Sequence, residues 1–219
     1  MSRHRPSIFD GLDQDAGLQR TSTKPIHQDF FVRDVTTVAR ELPGMLLFRR
    51  SRLGLSVGRI VETEAYLAQG DSASHSANGI NRKNASMFGP PGRAYIYTIH
   101  ARQCFNIVTE PDDVASAVLI RAVEPVHGLR LMAQRRGTFK TRDLCRGPAR
   151  LCEAFDIGRD LDGWDLTGQQ RLWVAADTTG DDIHVSKSPR IGVTSAKDTR
   201  LRFFLTGNEF VSGPKSLNQ

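Results

Sequence analysis

Glu62, Glu64 and Tyr66 recur at every second position of the stretch Gly58-Arg59-Ile60-Val61-Glu62-Thr63-Glu64-Ala65-Tyr66-Leu67. β-Branched and aromatic residues dominate Ile60 to Tyr66 and no helical period fits them, so the stretch predicts a strand. Alternate strand residues share a face, which projects Ile60, Glu62, Glu64 and Tyr66 together. Two carboxylates and a tyrosine make a poor core surface. A carboxylate held this way can act as a general base on water and favour positive charge on a reacting carbon. Downstream, residue type and spacing alone do not single out His75, Tyr97, Asn106 or Arg121. Each has an ordinary reading. His75 reads as a solvated loop residue, Tyr97 as core, Asn106 as an amide satisfied by backbone, and Arg121 as an ion partner of Glu62 or Glu124.

The elements that must position these groups follow from the same reading. Asp34 predicts a helix cap, with Val35, Val38, Ala39 and Leu42 on one face and Pro43-Gly44 as the stop. Met45 to Phe48 and Gly58 to Tyr66 predict a strand pair joined by a turn at Arg49-Arg50-Ser51-Arg52-Leu53-Gly54. Leu67 to Gly92 reads as a long loop carrying His75, and such loops in a compact domain are usually functional or disordered. Strands are predicted at Tyr95–Ile99, Phe105–Thr109 and Ala117–Val123. Helices follow at Leu129–Arg136 and from Gly147-Pro148, burying Leu151, Cys152 and Phe155. Leu172 to Val174 reads as a strand and Thr178 to Ser188 as a loop, while Arg190–Val193 and Leu201–Leu205 close the sheet. The short connections predict an α+β class: a single domain over 28–213, with a largely antiparallel mixed sheet flanked by helices. A flexible arm over 1–27 precedes it and a tail over 214–219 follows.

A chain of 219 residues with 39% hydrophobic and 25% charged residues is globular in composition and long enough for one sizeable core. No apolar run approaches the roughly 20 residues of a membrane-spanning helix. Met1 to Pro6 lacks an apolar signal core, which predicts a cytoplasmic, nucleoid-associated protein. The net charge of +6, with arginine far outnumbering lysine, favours a polyanionic partner. Three cysteines without a Cys-x-x-Cys pair predict buried free thiols, and no metal motif or cofactor signature is present.

Glu62-Thr63-Glu64-Ala65-Tyr66, His75-Ser76, Met87-Phe88 and Tyr95-Ile96-Tyr97 together resemble the alkyladenine (3-methyladenine) DNA glycosylase family. The likeness continues through Arg121–Pro125, Leu144–Pro148, Arg190–Val193 and Leu201–Phe204, in the family's order, and spans Phe30 to Gly213. It implies an alkyladenine DNA glycosylase-like fold and a monomeric, monofunctional enzyme of base excision repair. Such an enzyme flips 3-methyladenine, 7-methylguanine, hypoxanthine or ethenoadenine out of double-stranded DNA and hydrolyses the N-glycosidic bond. By resemblance Glu64 is the general base and Arg121 holds the water. Tyr66 covers one face of the base, with His75 and Tyr97 on the other, and Asn106 limits entry of a guanine amino group. Glu62 receives no catalytic role. After Tyr97 the family shows Ile-Tyr-Gly, whereas this chain reads Ile99-His100-Ala101 and is one residue shorter before Asn106. His100 therefore becomes the candidate DNA wedge, with Arg102 as the alternative. Lys83, Lys140, Lys187 and Lys197 all lie outside the matched site blocks, so no Schiff-base lyase activity is expected.

Two other readings remain. Glu62, Glu64 and Asp71 would suit a metal-dependent nuclease, recognised by chelator sensitivity and strand scission. A basic chain with a degenerate site would be a non-catalytic nucleic-acid-binding module. Presence of Glu64, Tyr66, His75, Tyr97 and Arg121 together speaks against the second.

Overall fold

A computed structural model describes residues 22–178 and 183–218, so the predicted arm lies outside the described residues as far as residue 21. Its spine is β2 (Gly54–Tyr66), which pairs along one edge with β5 (Ser116–His127). The other edge is divided between β1 (Leu46–Ser51), beside Gly54–Arg59, and β8 (Arg202–Leu205), beside Glu62–Glu64. Beyond β5 come β4 (Arg102–Thr109) and β3 (Ala94–Ile99). Beyond β1 lies β6 (Leu172–Ala175), and beyond β8 lies β7 (Val185–Ser188). Every strand pairing among the described residues is antiparallel, so the expected mixed element is not seen there.

Strict alternation on β2 fails at one place, and that place matters for the site. Ile60 and Ala65 join the main core with Val118, Ile120 and Val123, whereas Val61 packs against Ala122, Phe204 and Val211 elsewhere. Ile60 pairs with Val123, Glu62 with Ala122 and Thr63 with Ile120, so Val61 on β2 and Arg121 on β5 each bulge out of register. A bulge re-aims the side chains beside it. Ile60, expected beside Glu62 and Glu64, therefore points into the core instead.

Helices cover the core side. Asp34 caps α1 (Val35–Glu41) by accepting from the Thr37 amide at 2.8 Å, and Val35, Val38 and Ala39 are buried as the pattern predicts. The hydroxyl of Thr63 ties this helix to β2 by donating to the Ala39 carbonyl at 2.6 Å. Next come α2 (Leu129–Arg136), α3 (Thr141–Leu144) and α4 (Pro148–Ala154), which bury Met132, Leu144, Leu151 and Cys152. Cys104, Cys145 and Cys152 are all free and buried.

Several expected boundaries move. The β1–β2 turn is short, because Arg49, Arg50 and Ser51 continue β1 and Gly54 already opens β2. Val185 to Ser188, read as loop, is the strand β7; it lacks an apolar pattern and follows β8 through ladder bonds. Arg190 to Val193, read as a sheet-closing strand, forms none. Its backbone turns toward β2 instead. Ahead of α1, Thr23 and Ile26 are fastened to β6: the Trp173 Nε1 donates to the Thr23 carbonyl and the Ile26 amide to the Val174 carbonyl. At the other end, the Asn218 side chain accepts from Arg202 at 2.7 Å and donates to the Ser212 carbonyl at 3.1 Å. The described part of the predicted tail, through Asn218, is a strap over the end of β8.

Candidate active site

Glu62 and Glu64 are both fully buried, and Arg121 joins them. Its Nε donates to Glu62 Oε1 at 3.2 Å and its Nη1 to Glu64 Oε2 at 3.3 Å. The bulge at Arg121 makes this bridging position available. Glu64 accepts two more bonds, from the Tyr66 hydroxyl at 2.9 Å and the Ile191 amide at 2.7 Å. Arg121 also donates to the Ile191 carbonyl at 3.4 Å. Burial disfavours the Arg121 charge, but Glu64 and Glu62 outweigh it and hold the guanidinium firmly protonated. Burial and the adjacent Glu64 carboxylate push the Tyr66 hydroxyl far above its ordinary value, so it stays a neutral donor.

Above this network opens a cleft of about 900 Å³, lined by Tyr66, His75, Tyr95, Tyr97 and Asn106 among others. Pleating on β3 and β4 explains the lining: Ile96, Phe105 and Ile107 face the core, which turns Tyr95, Tyr97 and Asn106 the other way. His75 meets Tyr97 edge-on with centroids 4.4 Å apart, and its Nδ1 lies 2.7 Å from the Tyr95 hydroxyl. Burial lowers the His75 pKa, which favours the neutral imidazole. Asn84 holds the His75 carbonyl and the Gly79 carbonyl through its Nδ2, which orders the long loop. Behind Tyr66 stands Arg190, with its guanidinium 4.7 Å from the ring centroid. A bidentate pair with Asp71 at 2.6 and 2.7 Å fixes that guanidinium.

The structure thus gathers Tyr66, His75, Tyr97 and Asn106 around one cleft and seats Glu64 and Arg121 directly behind Tyr66. Asn106 spends its Nδ2 on the Tyr95 carbonyl at 3.0 Å, as a strand asparagine ordinarily does, while still lining the cleft. His100 sits apart from them, exposed at the tip of the β3–β4 hairpin, where it and Ala101 both take positive φ. That pair of values is the signature of a two-residue primed turn, and it accounts for the missing residue before Asn106. Lys83, expected away from the site, lines the cleft from an exposed position. The sequence reading gives Ile191 and Arg190 no role at the site, and Asp71 enters it only as a carboxylate of the nuclease alternative. Ile191 acts through its backbone, which carries no residue signature, and the Arg190–Asp71 pair spans 119 positions. The carboxylates of the nuclease reading each bind arginine: Glu62 holds Arg121 and Arg202, Glu64 holds Arg121, and Asp71 holds Arg190.

A family model described as methylpurine-DNA glycosylase matches residues 29–209. The chain is 46% identical over 202 residues to a candidate 3-methyladenine DNA glycosylase of Granulibacter bethesdensis, covering 91% of this chain and 92% of that one. A protein of the same description from Rhodopirellula baltica is 43% identical over 206 residues, covering 92% and 88%. One from Koribacter versatilis is 41% identical over 197 residues, covering 88% and 95%.

Proposed function

The chain belongs to the methylpurine-DNA glycosylase family, and from this premise we propose that it removes alkylated or deaminated purines from double-stranded DNA through Glu64. As a member it is a hydrolytic N-glycosylase of DNA repair. The observation that carries the finer reading is the Glu64–Arg121–Tyr66 network set behind an aromatic cleft of base-accepting size. A flipped purine enters between the Tyr66 ring and the His75–Tyr97 pair. Arg190 backs Tyr66, and the neutral His75 adds no positive charge beside an alkylated, cationic base. Asn106 crowds a guanine amino group.

A water held by Glu64 and Arg121 gives its proton to the Glu64 carboxylate as its oxygen attacks C1′. The C1′–N bond breaks and its electron pair leaves with the purine: a cationic alkylpurine departs neutral, and a neutral base such as hypoxanthine departs as an anion that takes a proton from solvent. The buried carboxylate also favours positive charge developing on the sugar. The products are a free base and an abasic site. We assign His100, as part of the same proposal, to the gap left by the flipped nucleotide. As the family resemblance implies, the enzyme works as a monomer and as a monofunctional glycosylase; Lys83 lines the cleft but lies outside the resembling blocks.

Duplexes carrying one lesion each test this reading. The expected result is base release with the strand intact until alkali is added and no borohydride-trapped adduct. Scission before alkali, or no released base from any lesion, contradicts it.

A further inference from the structure

Charge on the cleft lining is one-signed. Among the described residues the lining includes Arg82, Lys83 and Arg159 and no aspartate or glutamate. All three cations stand on one wall. Arg82 and Lys83 lie just before the turn Ala85–Phe88, and Ser86 of that turn donates to Asp162 Oδ1 at 2.8 Å. Asp162 follows the short turn Arg159–Leu161, so the two cationic segments are bonded together. The stretch Gly192 to Ser195, which follows the Ile191 contact on Glu64, lines the cleft without any charge.

Arg159 is held in place while remaining open to solvent. One nitrogen donates to the Ile96 carbonyl, the other lies 3.4 Å from Asp162, and its side chain is still 45% exposed. Asp162 in turn accepts from the Ile96 amide at 2.8 Å. Both outward backbone groups of Ile96, on the sheet's edge strand, are thereby capped by this pair. A guanidinium fixed by two contacts keeps donors free and loses little entropy on gripping an anion. The Arg82 and Lys83 side chains are exposed and have no hydrogen-bond or ion-pair partner among the described residues. Arg82 and Lys83, uncompensated, raise the local concentration of an anionic ligand, and Arg159, although paired with Asp162, adds exposed donors beside them.

We propose that Arg82, Lys83 and Arg159 form a phosphodiester-binding subsite that grips the DNA backbone along this one wall of the cleft. The inference rests on the glycosylase reading and adds the side on which the lesion strand is held. Phosphates bound there stay off the neutral wall that carries the Glu64 contact, which limits repulsion between phosphate and carboxylate. Both backbone and free phosphate would suit the same donors, and the subsite is built for the first, since its cations are strung over two segments of one wall.

Counterion release gives the test. Each lost phosphate contact reduces the slope of log affinity against log salt by about 0.9 on duplex DNA. Binding of an undamaged duplex should lose about 1.8 in slope for Arg82→Gln/Lys83→Gln, whose exposed positions spare the fold. Arg159→Gln should lose about 0.9, whereas Arg159→Lys should keep the slope, since it keeps the charge. Inorganic phosphate at millimolar levels should leave thermal stability unchanged. Wild-type slopes in both glutamine variants would overturn the subsite, as would equal slopes with only a lower melting temperature in Arg159→Gln. Saturable stabilisation by inorganic phosphate alone would overturn the assignment to backbone. The same proteins assayed for base release separate this outcome from failure of the glycosylase reading.

Discussion

Glu62 and Glu64 lie two residues apart on one strand, are equally buried and share the Arg121 guanidinium, yet their surroundings differ. Glu62 faces packed chain. It also accepts from Arg202 at 2.5 Å and from the Ser212 amide at 2.7 Å, and the Asn218 strap closes over that arginine. Glu64 has one guanidinium, one phenol and one amide, and the phenol belongs to a cleft wall. Burial and pairing alone therefore do not tell the two carboxylates apart. What lies beyond their partners does.

The largest effect should come at the sealed end. Glu62→Gln leaves two buried guanidiniums short of a charge and should cost about 3–5 kcal/mol of stability in denaturant unfolding. The folded fraction should still excise within several-fold of wild type. A hundredfold drop in excision without a loss of stability would reverse the roles given to the two carboxylates. Asp71→Asn comes next, at about 1.5–3 kcal/mol, because it weakens the charge-assisted bonds that hold Arg190 behind Tyr66. An unchanged unfolding midpoint would show that Arg190 needs no fixed partner.

Acid should erode the sealed end progressively. Burial alone would raise the Glu62 carboxyl, but Arg121 and Arg202 hold it below its ordinary value of 4.5. Burial likewise opposes the Asp71 charge, and the bonds from Arg190 hold it below 3.8. Both folded-state values are depressed, so the folded protein binds fewer protons than the unfolded chain in this range. Their stabilisation is complete above those ordinary values and is lost as pH falls through the lowered ones. Melting temperature should therefore drop below pH 4.5, less steeply in Glu62→Gln than in wild type. Parallel curves would show that Glu62 is not the group titrating. The smallest effect belongs to the hairpin tip. His100→Ala should slow duplex excision about fivefold and single-stranded excision less, since only the duplex must refill a vacated stack. Equal losses on both would remove His100 from the wedge role.

The contrast between the carboxylates was only partly legible in the sequence. Alternation over Ile60 to Tyr66 put Glu62, Glu64 and Tyr66 on one face, because strand periodicity is a local property. It also put Ile60 there, because a bulge depends on the partner strand and leaves no mark on β2 itself. The partners that seal Glu62 are 140 and 150 positions away, and one is a backbone amide. The same holds for Ile191 on Glu64. Tyr97 and Asn106 would have passed for core and ladder residues on their own chemistry. Only the ordered blocks of the family resemblance singled them out, and the pleat of β3 and β4 then turned them to one cleft.

Single-turnover excision of one alkylated purine by Glu64→Gln, at enzyme concentrations that saturate the lesion duplex, tests the central claim most directly. The account predicts near-normal lesion affinity and a rate at least about a hundredfold below wild type, the scale of general-base catalysis. A near-normal rate in the folded Glu64→Gln protein would contradict it.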